Sequence, residues 1–330
     1  MAHIVLGIGT SHSPMLNATV EEWSRFEARE STMKLLDREG NPSSYEALVR
    51  QAAGRFDNEY GPEKLAERHA RAQDNLDRIA EEIAKANLDA LVVIGDDQKE
   101  LFLGDNLPAV LLYYGDTIAH RMRKPKPAWV DWFAAIQSRY YPPKDVDYPV
   151  HSALARHLAA QLVEMGFELS TSEQLPRGEG EGHAFAFVHQ RLLATRKAVP
   201  VIPVFLNTYY PPNQPIPRRC YLLGRAIRNL MESFPEPLRV GVLGTGGLSH
   251  FTVDANLDEE ILRALKRNDA ESLINLPISK LNSGNSEIRN WIVLAGAAGH
   301  LPFSWSDYVP AYRSPAGTGT GLAFAVWRGE

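Results

Sequence analysis

Two Ser-His pairs stand where an apolar run breaks on glycine. In Ile4-Val-Leu-Gly-Ile-Gly-Thr-Ser-His12-Ser-Pro14 and in Val240-Gly-Val-Leu-Gly-Thr-Gly-Gly-Leu-Ser-His250, a short hydrophobic stretch ends in glycine and a hydroxyl residue, and then delivers an imidazole. Neither glycine pattern matches a dinucleotide fingerprint or a phosphate loop ending in Lys. A strand that stops this way puts its last side chains beyond the carboxyl edge of a sheet, where open α/β folds bind ligands. A third run, Ala90 to Ile94, ends in Gly95-Asp96-Asp97-Gln98-Lys99-Glu100. Adjacent carboxylates at a strand end repel each other unless a cation is near, and oxygen-rich donors suit a hard metal ion. The other reading of Asp96-Asp97 is a solvated acidic turn that caps a helix. His183 follows the segment Gly178-Glu-Gly-Glu-Gly182, which can carry a side chain over a cleft. An imidazole, titrating near 6.5 when unperturbed, suits proton transfer at neutral pH.

These groups need elements to hold them. Ile4–Gly7, Ala90–Ile94, Ala109–Tyr113, Phe167–Ser170, Val201–Leu206 and Val240–Leu243 read as strands, several of them continuous apolar runs typical of buried parallel sheet. Pro62–Ala86 is the clearest helix, with Leu65, His69, Ala72, Leu76, Ile79 and Ile83 on one face. His69 on that face reads first as a core histidine and second as a residue lining the site of His12. Helices are also expected over Val20–Leu36, Tyr45–Ala53, Ser152–Met165, Ala184–Leu193, Arg218–Ser233, Leu257–Arg267 and Ser286–Ala298. The aromatic, Pro- and Lys-rich stretch from Asp116 to Pro149 suits a lid or subunit contact. Arg218 and Arg219 start a helix against its dipole, a placement that a bound carboxylate would explain. The expected fold is α/β: a single domain over residues 1–330, with a mixed sheet flanked by helices and the site at converging strand ends.

Composition narrows the function. With 44% hydrophobic and 23% charged residues in 330 and a net charge of −5, the chain has the make-up of a soluble globular protein and no basic footprint for nucleic acid. One cysteine, Cys220, allows no internal disulfide and fits a reducing compartment. No basic, secretory-type leader and no apolar run of ~20 residues stands out. The expected location is the cytoplasm.

Gly-Thr-Ser-His12-Ser-Pro, Asn207-x-x-x-Pro-Pro, Arg219-Cys220 and Gly-Thr-Gly-Gly-Leu-Ser-His250, in this order, resemble the class III extradiol ring-cleavage dioxygenases, the family of the protocatechuate 4,5-dioxygenase catalytic subunit. Gly-Asp-Asp-Gln, Pro-Pro-Asn-Gln-Pro and Pro-Ala-Gly-Thr-Gly are most similar to its 3-O-methylgallate dioxygenase branch. The resemblance implies Fe(II) held by two His and one carboxylate, and extradiol cleavage of a catechol- or gallate-type aromatic with O₂. By position, His12 is the first ligand. The second is a His in relatives and is Gln98 here, beside Asp97. The family's Glu falls near Asn256, with Glu259 three residues on. Related branches use the His of the Ser-His motif, which is His250. The implied metal set is thus His12, Asp97, Gln98 and His250, with Glu259 and His69 in reserve. His183 is the implied acid–base residue, and Arg218 and Arg219 the implied carboxylate holders. Alternatives on the same scaffold are a zinc-type hydrolase or lyase and a non-catalytic metal-binding relative. The implied partners are a small aromatic and O₂, without nucleic acid or membrane, in a homo-oligomer.

Overall fold

The computed structural model describes residues 1–194 and 198–329. Its centre is a nine-stranded mixed sheet. The strands in chain order are β1 (His3–Thr10), β2 (Ala90–Asp96), β3 (Val110–Tyr113), β4 (Ser170–Ser172), β5 (Val201–Leu206), β6 (Arg239–Thr245), β7 (His250–Thr252), β8 (Phe303–Tyr312) and β9 (Thr318–Arg328). Four of them, in the order β1, β6, β2, β5, run parallel. β3 continues the sheet antiparallel to β5, and β4 closes that edge. On the other side β9 pairs antiparallel with β1 and β7 along one edge and with β8 along the other. The mixed sheet flanked by helices is the architecture read from the sequence.

Parallel strands must be covered on both faces, and side chains alternate across a strand. On β2, Leu91 and Val93 pack with Leu76, Ile79 and Ile83 of the Pro62–Lys85 helix. Ala90, Val92 and Ile94 face the opposite layer, built from helices Pro217–Ser233 and Ile288–Ala298. The latter helix is buried along its whole length, which explains why its sequence shows no polar face.

Several expected elements are differently bounded. Val20–Leu36 is not one helix. It breaks into Val20–Trp23 and Phe26–Glu30 and ends in a two-residue strand, Leu35–Leu36. Phe167–Ser170 shifts to a strand at Ser170–Ser172. Ala184–Leu193 is an α-helical turn, His183–Phe187, that widens into a π-helix at Val188–Leu193. The Asp116–Pro149 stretch carries a small hairpin, Thr117–His120 with Val146–Pro149, and a helix, Asp131–Ser138.

With β1, β6, β2 and β5 parallel, their carboxyl ends lie on one edge of the sheet. Thr10, Thr245, Asp96 and Leu206 end the four strands there. The segments that follow bring Ser11-His12, Gly246 to His250, Asp97-Gln98 and Asn207 to Tyr209 to the same place.

Candidate metal centre and active site

His12 is the hub. Its Nδ1 lies 2.9 Å from Thr245 Oγ1 at the end of the neighbouring strand, and Tyr140 O–H donates to its backbone carbonyl at 2.6 Å. Its other nitrogen, Nε2, is buried without a hydrogen-bond partner. That nitrogen faces two buried carboxylates, Glu287 at 3.6 Å and Asp96 at 3.8 Å. Burial drives the His12 pKa down to about 3, against the pull of Glu287, so the ring is neutral and its lone pair free.

The two carboxylates are held by donors rather than by cations. Gln98 donates its amide to both, to Asp96 at 3.2 Å and to Glu287 at 3.1 Å. Asn290 donates to Asp96 at 3.2 Å, and Gly247 N–H and Tyr209 O–H to Glu287 at 2.7 and 3.0 Å. Among the described residues neither is ion-paired to Lys or Arg. Burial, and then the charge of Glu287, raise the Asp96 pKa. Burial also opposes ionisation of Glu287, but His250 and His12 outweigh it and keep that carboxyl low. Two buried carboxylates beside a neutral imidazole with a free lone pair form a charge-hungry set. Ligands bonded to one metal at about 2.0–2.2 Å sit roughly 3 Å apart when adjacent, so spacings of 3.4–3.8 Å close on an ion with small side-chain shifts. The residues fit a divalent cation.

Two more imidazoles flank the hub. His183 packs edge-on to His12 with ring centroids 4.8 Å apart, and its Nδ1 lies 2.7 Å from Glu100. Burial disfavours its charge, yet the Glu100 carboxylate prevails and lifts the His183 pKa to about 9. His12, Asp96 and His183 bring their ligand atoms within 4.8 Å of one another. His250 lies on the other side, its Nε2 3.4 Å from Glu287 and its Nδ1 3.0 Å from the Leu248 carbonyl. Gly284 presses on its ring so closely that an added Cβ would come within 2.1 Å of the imidazole.

The structure therefore gathers His12, Gln98, His183 and His250 into one cavity, and it separates the rest of the expected set from it. Asp97 does not reach the cavity: its two oxygens accept the backbone N–H groups of Leu101 and Phe102 at 2.9 and 3.1 Å. β2 runs two residues past the expected Ile94, which makes Asp96 the strand's final residue and the carboxylate at the site. Glu259 is exposed on the Ala255–Arg267 helix. The buried acid on that helix is Asp258, which takes Ser249 N–H, Ser249 Oγ–H and Tyr308 O–H. His69 lies 3.0 Å from the Ala18 carbonyl and packs against Trp23. Arg218 is exposed, and Arg219 donates to the Gly166 carbonyl at 3.0 Å with its guanidinium 4.0 Å over Phe167. Neither arginine lines the cavity.

Sequence reasoning missed Glu287, and of the adjacent pair Asp96-Asp97 that it marked, it placed Asp97 rather than Asp96 in the metal set. The only local signal for Glu287 is an acid just before an apolar helix, the commonplace partner of a helix dipole. A second buried group also went unseen. Glu181 lies against both His120 and His189, the latter at 2.7 Å. It sits two residues before His183 and anchors that loop to the hairpin and to the π-helix.

Residues 56–323 match the family described as the catalytic LigB subunit of aromatic ring-opening dioxygenase. The chain belongs to that family. Among curated relatives, gallate dioxygenase of Pseudomonas putida is 30% identical over 159 residues, 44% of this chain and 45% of the relative. A 2,3-dihydroxyphenylpropionate/2,3-dihydroxicinnamic acid 1,2-dioxygenase of Klebsiella pneumoniae is 33% identical over 128 residues, 37% and 38% of the two chains. Its counterpart from Mycobacterium ulcerans is 31% identical over 112 residues, 30% and 35%. These matches span less than half the length of each relative. Among the described residues no helix is long and apolar enough to cross a membrane.

Proposed function

We propose that this chain is a non-haem, iron-dependent dioxygenase that opens an ortho-dihydroxy aromatic ring beside its hydroxyl pair with O₂. The observation that carries the reading is the orphaned, neutral Nε2 of His12 facing Asp96 and Glu287 at the carboxyl edge of the sheet. His12, Asp96 and Glu287 would hold the iron, and His250 flanks Glu287. Bound there, iron would acidify the substrate hydroxyls and pass electrons to O₂.

The remaining residues prepare the reaction. Thr245 fixes the His12 ring, and Gln98 orients both carboxylates by donating to each, as groups behind a metal's ligands do. His183 keeps Nδ1 engaged with Glu100, which leaves Nε2 to exchange a proton with the substrate; since Glu100 holds the ring protonated at neutral pH, it serves first as an acid toward the departing oxygen and as a base only once that proton is given up. Burial of the cluster excludes water from the reacting centre.

Two measurements test this. Protein purified without oxygen should contain stoichiometric iron and consume O₂ with catechol or gallate, giving a coloured ring-opened product. His12→Ala should lose the metal and the turnover while keeping the far-UV circular dichroism of the fold. Stoichiometric zinc with no O₂ uptake would favour a hydrolase or lyase instead, a reading that the two carboxylates and the Gln98 amide make chemically sensible.

A further inference from the structure

Away from the cavity, a second group of buried donors converges. His120 ends the hairpin strand Thr117–His120, Glu181 stands two residues before His183, and His189 lies in the π-helix. All three side chains are buried. Both imidazoles turn Nδ1 to the same oxygen of Glu181, Oε1. Among the described residues no Lys or Arg pairs with that carboxylate.

Hydrogen bonds alone leave this cluster incomplete. Glu181 Oε2 and His189 Nε2 are both buried without a partner. A buried acceptor that lacks a donor is costly, and a buried carboxylate between neutral rings is an uncompensated charge. One divalent ion in place of the two N–H protons would use both Nδ1 lone pairs, engage the free carboxylate oxygen and offset the charge. The three ligand atoms lie within 4.8 Å of one another. Ligands held about 2.0–2.2 Å from one ion stand roughly 3–3.5 Å apart, so small side-chain shifts admit it.

The surroundings suit such an ion. Tyr148 stacks on His189 with ring centroids 4.0 Å apart, and Tyr148 and Tyr141 pack against His120 at 5.3 and 5.6 Å. The Gln190 amide lies 3.2 Å from His120 Nε2. With the amide flipped, its oxygen would accept the N–H that a metal-bound imidazole presents, a common arrangement behind metal ligands. His189 and Gln190 both belong to the π-helix, a kind of widened turn frequent at functional sites.

We propose that His120, Glu181 and His189 bind a second divalent cation, Zn²⁺ by preference, which clamps the loop carrying His183 to the hairpin and the π-helix. Two imidazole nitrogens and one carboxylate suit zinc, and such donors hold it more tightly than Mn²⁺ or Fe²⁺. None of the three residues lines the cavity around His12, so the clamp does not depend on which reaction runs there.

The test is a Zn²⁺ titration of chelator-stripped protein. The wild type should take up two equivalents per chain and His12→Ala one. In the His12→Ala background, His120→Asn or His189→Asn should take up none. Asparagine keeps an amide that donates to Glu181, so these variants spare a cluster that works by hydrogen bonds alone. Co²⁺ in place of Zn²⁺ should give His12→Ala a visible absorption that both asparagine variants lose. Gln190→Ala should weaken zinc binding roughly 10- to 100-fold, the range for removing a group behind a ligand. If the asparagine variants fail to fold, anomalous scattering at the zinc edge from wild-type crystals decides, by a peak between the three side chains or none. A wild type whose only equivalent vanishes in His12→Ala would overturn the clamp and leave ring cleavage standing. Uptake by His12→Ala that survives both asparagine substitutions would do the same. A second equivalent in a protein that consumes no O₂ would keep the clamp and overturn ring cleavage.

Discussion

Asp96 and Asp97 are neighbours with the same side chain and opposite duties. Asp96 ends a strand and points at His12, whereas Asp97 begins the turn and closes it by accepting two backbone N–H groups. Asp96→Asn should therefore remove most bound metal. Asp97→Asn should leave metal content intact and lower the melting temperature, because an amide replaces one of the two acceptor oxygens. Elemental analysis and a thermal melt of both variants decide this, and loss of metal in Asp97→Asn would sink the assignment. The sequence marked the strand end but not which acid occupied it, since one residue of register moves a side chain to the other face. It marked His12 and His250 because each follows glycine at the end of an apolar run. Glu287 escaped because an acid before a helix is ordinary, and its role exists only where distant strands converge. Gln98 shows the same limit from the other side. Its position was legible, but its two donated hydrogen bonds were not. Gln98→His should raise iron affinity if an imidazole there completes the ligand set, as titration of iron-free protein would show.

At the scale of elements, the sheet was legible because its strands are continuous apolar runs, and the Pro62–Lys85 helix because its periodicity is clean. The π-helix at Val188–Leu193 was not, because widening a helix by one residue per turn leaves no compositional trace. It places His189 against Glu181, whose carboxylate joins three separate segments. Glu181→Ala should leave two buried imidazoles without their acceptor. Breaking such a buried group costs roughly 3–5 kcal/mol, to be read as a lower urea midpoint together with reduced turnover, since His183 loses its anchor. An unchanged midpoint would show that the loop is held elsewhere. Asp258, which pins Ser249 just before His250, gives a pH signature. Burial lifts its pKa from 3.8 to about 7, against the hydrogen bonds from Ser249 and Tyr308. The folded state then binds the proton more tightly than the unfolded state, and stability falls as pH rises from about 4 to 7. Asp258→Asn should flatten that slope in denaturation curves measured across the interval.

Over the whole molecule, the site is assembled from the ends of the chain. His12 and Thr245 meet across adjacent strands, and Arg29 and Arg313 line one cavity although nearly the full sequence separates them. No periodicity or motif links such pairs, so the site's wall stayed invisible until the fold was known. The same assembly places two buried carboxylates side by side before any metal arrives, and that arrangement should cost stability. A cation binding the folded state alone stabilises it by RT ln(1 + [L]/Kd), about 2.7 kcal/mol at a hundredfold excess over Kd. Metal-free protein should accordingly melt several degrees below the loaded form. Asp96→Asn removes one of the two like charges. It should melt above the metal-free wild type, by roughly 1–2 kcal/mol of stability as is common when a functional site is relieved of strain, yet gain almost nothing when Fe(II) or Mn²⁺ is added. The pair of melts, with and without metal, separates this from a purely structural role for Asp96. If Asp96 served only the fold, the variant would be less stable in both conditions and would still respond to the ion.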